Sequence, residues 1–87
     1  MSEQAEEPEV TIVFRGRDRT KRYARSPWVS GKRLKDYLKS PIFREHGLLL
    51  LALKSRILDQ DARKLRLTYP LNAGDRIYLI PQGRTEV

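Results

Sequence analysis

Residues 69–83, YPLNAGDRIYLIPQG, decide how this chain is read. The tetrad Asn72-Ala73-Gly74-Asp75 carries the residue types of a tight turn, because glycine reaches positive φ without steric cost and Asn and Asp satisfy nearby backbone groups. From Arg76 to Ile80 the side chains alternate, with Ile77 and Leu79 to one side and Tyr78 and Ile80 to the other. Apolar groups on both sides predict a central strand.

Working back along the chain, LLLLAL at residues 48–53 has the unbroken apolarity of a strand buried on both faces, and it is expected in the middle of a sheet. Between the two, SRILDQDARKL predicts a short edge strand and a loop, with Asp59 and Asp61 forming the turn. Near the start, Val10, Ile12 and Phe14 alternate with Thr11, Val13 and Arg15, the period of a strand with one face in a core. RGRDR then supplies a turn and TKRYA a returning, largely solvent-facing strand, so a β-hairpin opens the domain. Leu34, Tyr37 and Leu38 fall at i, i+3 and i+4, which predicts an amphipathic helix with Ser30 as its N-cap. Pro41 should stop it, leaving Ile42 and Phe43 as apolar plugs in an extra turn that His46-Gly47 ends.

The expected order is hairpin, helix, central strand, edge segment, final strand. A sheet with one helix across it buries the helix's single apolar stripe, which is an α+β two-layer fold. The parts divide as residues 1–9, an acidic disordered leader; residues 10–83, one folded domain; and residues 84–87, a short tail.

Order and lengths resemble the β-grasp, or ubiquitin-like, fold. LLLALKSRILDQD and YPLNAGDRIYLIPQG, within residues 48–83, are similar to the second half of the small sulphur-carrier proteins of thiamine and molybdopterin biosynthesis. In that family a VAL-N-G strand precedes an ending of the form pLkdGDrvei-P-vaGG. The resemblance implies a carrier whose terminal glycine carboxylate is activated as an adenylate and then a thiocarboxylate. Here Gln82-Gly83-Arg84-Thr85-Glu86-Val87 stands where Gly-Gly is needed, so carrier activity would require cleavage after Gly83. Ubiquitin-like folds also dock partners on the exposed face of the sheet, for which Arg66, Thr68, Arg76 and Tyr78 are candidates.

Charge is the other strong signal. Formal net charge is +7, and it is unevenly spread: residues 1–9 hold four acids and no base, whereas residues 10–84 hold all eighteen Lys and Arg against six acids. The basic side chains concentrate at Arg15, Arg17, Arg19, Lys21, Arg22, Arg25, Lys32, Arg33, Lys35 and Lys39, with Tyr23 and Trp28 interleaved. Such a stretch suits an acidic protein surface or, in the alternative, a phosphate backbone contacted with weak sequence preference. Trp28, between Pro27 and Val29, also fits the edge of a core.

The chain has no cysteine and one histidine, His46, beside a turn, so neither a zinc site nor a thiol nucleophile is expected. DQDARK lacks the glycine and distal glutamate of a calcium loop. Nothing pairs a nucleophile with a base or cradles a phosphate in glycines. The expectation is therefore a protein without catalytic residues, cofactor or metal, soluble and cytoplasmic, not inserted in a membrane. Its predicted role is that of a small basic subunit or accessory protein docking on a larger protein assembly. Nucleic-acid binding is the alternative, and a processed sulphur carrier the second alternative.

Overall fold

The computed structural model describes residues 7–16 and 19–81. Seven elements follow one another: β1 (Glu9–Arg15), β2 (Lys21–Pro27), α1 (Leu34–Leu38), α2 (Pro41–Arg44), α3 (Leu48–Leu53), β3 (Ser55–Leu58) and β4 (Arg76–Pro81). The four strands form one mixed sheet in the order β2-β1-β4-β3, and the helices cover one of its faces, giving an α+β fold.

The hairpin forms as the alternation predicts. β1 and β2 are antiparallel, with Val10 opposite Ser26, Ile12 opposite Ala24 and Phe14 opposite Arg22. Val10, Ile12, Phe14 and Ala24 are buried beneath the helices, where each large aliphatic or aromatic side chain contributes roughly 1.5–3 kcal/mol by leaving water. β4 lies parallel to β1, pairing Thr11 with Arg76, Ile12 with Ile77 and Val13 with Tyr78. Its neighbour on the other side is β3, antiparallel, so β4 is central as expected. The 72–75 turn fixes this placement. Asn72 N–H donates to Asp75 Oδ2 at 2.8 Å, Gly74 adopts φ +81°, and the turn docks on β1 through Gly74 N–H to Glu9 O and Asp75 O to Thr11 N–H, both 3.0 Å. A side chain at residue 74 would meet no atom, so glycine is required there by backbone conformation alone.

The expected strand at residues 48–53 is instead helix α3, so three short helices stand where one was predicted. The physical reason lies in its composition and in its start. Leucine and alanine are strong helix formers, and no β-branched residue is present to favour a strand. Gly47 at φ +66° turns the chain into the helix, and Leu48 and Ala52, one turn apart, enter the core while Leu50 and Leu53 point outward. Ahead of it, α1 buries Leu34, Tyr37 and Leu38 as predicted, but its N-cap is Arg33, not Ser30, and Arg33 N–H donates to Asp36 Oδ2 at 3.4 Å. Pro41 occupies the first turn of α2, where a missing N–H costs nothing. Phe43 plugs the core, whereas Ile42 is exposed.

β3 is the expected edge strand, and Asp59 closes the loop after it by accepting from Asp61 N–H at 2.8 Å and Arg63 N–H at 2.9 Å. Of Tyr69-Pro70-Leu71, only Leu71 is core.

Candidate functional site

Helices cover one face of the sheet; the register fixes what the strands direct to the other. Paired residues in adjacent strands share a face, so Tyr23 of β2, Val13 of β1, Tyr78 of β4 and Leu58 of β3 form one row across all four strands. Ile80 sits one step along β4 on the same face. Val13 is only 4% exposed although it lies outside the core cluster, so its neighbours on this open face shield it. Tyr23, at one end, is 53% exposed, Tyr78 and Leu58 are half-buried, and Ile80 beside the row is 44% exposed, so the row has a closed centre and is most accessible at Tyr23.

On either side of this apolar row lies a row of cations. Arg25 and Arg76 bracket Thr11 on one side, while Arg15 faces Lys21 and Arg56 faces Ile80 on the other. The one acid that the strands direct to this face is Glu9, at the start of β1. A hollow of about 230 Å³ opens beside Val13, Tyr78 and Ile80, with Arg15 and Lys21 on its rim. An apolar floor keeps the surrounding dielectric low, which strengthens charge-assisted contacts made at the rim.

The basic stretch read from the sequence is divided by the sheet. Arg15, Lys21 and Arg25 reach the open face, while Arg22, opposite Phe14, is directed to the helical side. Arg19, at φ +67°, lines a separate hollow with Leu51 and Pro81 at the end of the sheet. Trp28 packs against the core, and its indole N–H donates to Leu71 O at 2.7 Å. The Lys32 ammonium stands 4.7 Å above the centre of the Tyr37 ring, within cation–π reach. Arg33 bridges to Pro70 and Lys35 N–H donates to Leu67 O, which holds both in the helical layer. Arg17 lies outside the described residues, as does Gly83, on which carrier chemistry would depend.

Arg76 and Tyr78 lie on the open face as expected, but Arg66 and Thr68 do not. They belong to the loop after β3 and line a groove of about 470 Å³ with Arg63, Lys64 and Tyr69. Arg56 and Leu58 reach the open face without having been singled out in the sequence; the parity of β3 against β4 is the signal that finds them. His46 is exposed, with its ring 5.5 Å from that of Phe14 and tilted by 53°. Among the described residues, no three His, Asp or Glu side chains converge as metal ligands, and no helix is long and apolar enough to cross a membrane. Compared with known proteins, the chain matches no family model, no curated protein and no solved structure.

Proposed function

We propose that this protein is a β-grasp, ubiquitin-like interaction module without catalytic chemistry, a small basic subunit that docks on a larger protein assembly through the open face of its sheet. Strand order β2-β1-β4-β3, with a leading hairpin, a helical layer and a parallel central pair, supports the β-grasp assignment. The observation that carries the functional reading is the apolar row Tyr23–Val13–Tyr78–Leu58 bounded by cations on both sides. This is the anatomy of a protein interface, an apolar centre rich in tyrosine within a polar rim enriched in arginine.

Co-purification from the source cells tests it. The wild-type chain should recover a stoichiometric partner. Tyr78→Ser with Ile80→Ser should lose that partner, while Leu50→Ser with Leu53→Ser, on α3, should keep it. Recovery of the chain only as a free monomer, or capture indifferent to the sheet substitutions, refutes the reading.

One observation favours a second reading. Tyr23 is more than half exposed, between Lys21 and Arg25 on the same face of β2, which suits a base stacked on the ring with phosphates alongside. Anisotropy with labelled single- and double-stranded oligonucleotides at about 50 and about 200 mM salt tests it. Micromolar binding that collapses at the higher salt supports nucleic acid; absence of binding at the lower salt removes it.

A further inference from the structure

Resting on the open face as the docking surface, the geometry points to its occupant. We infer that the face receives a short acidic amphipathic helix, laid across the strands with one apolar ridge in the row and carboxylates along both of its flanks.

The dimensions argue first. One side chain from each of four strands makes up the row, and three inter-strand gaps of about 4.8 Å give it a length of about 14 Å. An α-helix rises about 1.5 Å per residue, so about ten residues span it, enough for ridge positions i, i+4 and i+7. The cationic rows lie two residues away along the strands, about 7 Å to each side. They therefore straddle a cylinder of about 10–12 Å diameter, the width of a helix with its side chains.

The symmetry of charge argues next. Arg25 and Arg76 stand on one side of the row and Lys21, Arg15 and Arg56 on the other. A nucleic-acid single strand carries its phosphates along one edge and its bases along the other, and would leave one cationic row unmatched. An acidic helix with a single apolar stripe carries carboxylates on both flanks. A second copy of this chain is a poor fit, because both surfaces would be cationic in a protein of net charge +7.

The state of the backbone argues third. An extended peptide would have to satisfy its backbone groups on a face made of side chains, or else add to a sheet edge. At the β3 edge, Leu65 N–H already donates to Ile57 O at 2.8 Å and Lys64 bridges to Leu58. The β2 edge is charged by Lys21, Arg22 and Arg25 and ends in Pro27, features that discourage strand addition. A helix satisfies its own backbone and needs neither edge. The hollow beside Val13, Tyr78 and Ile80 then receives the central ridge side chain, and Arg15 and Lys21 on its rim meet the carboxylate next to it.

The test uses the intact chain and a display library of helix-stabilised 14-residue peptides. Leucine is fixed along one ridge and the flanking positions vary among Glu, Lys, Gln and Ser. Selected peptides should carry Glu on both flanks and shift the amide resonances of Val13, Tyr23, Leu58, Tyr78 and Ile80. Arg15→Glu and Arg76→Glu, one from each cationic row, should each weaken binding about tenfold, the cost of reversing a rim charge pair at an interface. No enrichment, enrichment without Glu, or sensitivity to only one cationic row overturns the inference. If a twelve-nucleotide oligothymidylate shifts those resonances while no peptide is enriched, the occupant is nucleic acid; the open face then stands as the docking surface and the helix does not. Peptides that shift α3 around Leu50 and Leu53 in place of the sheet overturn both.

Discussion

Replacing Tyr37 with phenylalanine isolates one polar anchor of the fold. The ring is fully buried, its hydroxyl accepts from Val29 N–H at 2.8 Å, and it donates to Val29 O at 3.2 Å. Tyr37→Phe keeps the packed ring and its Lys32 contact but removes both bonds. At roughly 0.5–1.5 kcal/mol net for each bond, the loss is about 1–3 kcal/mol. Val29 is 50% exposed, so water can satisfy part of what is orphaned, and the expected cost falls in the lower half, about 1–2 kcal/mol. Urea unfolding followed by fluorescence measures it, because Trp28 is the only tryptophan and its indole is bonded to Leu71 O in the folded state. With a slope of about 1 kcal/mol per M for a small domain, the midpoint should fall by about 1–2 M with the slope unchanged. A midpoint that stays within about 0.3 M of wild type would refute the assignment of Tyr37 as the clasp between α1 and the segment after β2.

Three other outcomes follow from the same packing. Leu48→Ala should cost about 2–5 kcal/mol, while Leu50→Ala and Leu53→Ala stay within about 0.5 kcal/mol, in thermal or urea unfolding; equal costs at all three would contradict the helix. Gly47→Ala, at φ +66° with open space around the added carbon, should lose about 1–2 kcal/mol to backbone strain without any clash, seen as a lowered Tm with an unchanged circular dichroism spectrum. Asp59→Ala removes the acceptor for two loop N–H groups and should cost about 1 kcal/mol, with faster amide hydrogen exchange at Asp61 and Arg63 and none elsewhere.

The hairpin, α1, the edge strand and β4 were legible because each carries its own period and punctuation. Alternation set Arg76 and Tyr78 on the face opposite Ile77 and Leu79 and made them candidates for the open face; the burial of Ile77 and Leu79 decides which of the two faces is open. Residues 48–53 were misread because continuous apolarity fits a doubly buried strand and a packed helix equally well. Their composition and the Gly47 start tip the balance to a helix, and the sheet agrees: β4 occupies the place beside β1, and the leucines go to the helical layer. The basic site was half legible for a similar reason. Adjacency in sequence grouped Arg22, Lys32, Arg33 and Lys35 with Arg15 and Lys21, but alternation and the sheet separate them. Arg56 joins from a strand about forty residues further on, where pairing and not sequence distance makes neighbours.

The parallel pairing of Thr11, Ile12 and Val13 with Arg76, Ile77 and Tyr78 sets a condition on biosynthesis. β1, the first strand of this sheet in chain order, has its central partner in β4, the last of the four, and until β4 emerges from the ribosome one flank of β1 has no strand to pair with. The hairpin can form early, but the sheet cannot close over its hydrophobic side until Arg76–Pro81 have been made. Folding must then bring together the two strands of the sheet that lie furthest apart in sequence, a slow and late step in loop-closure terms. A nascent chain interrupted before Arg76 therefore lacks the strand that completes the core, and cellular quality control would meet it as an exposed hairpin with a loose leucine-rich helix.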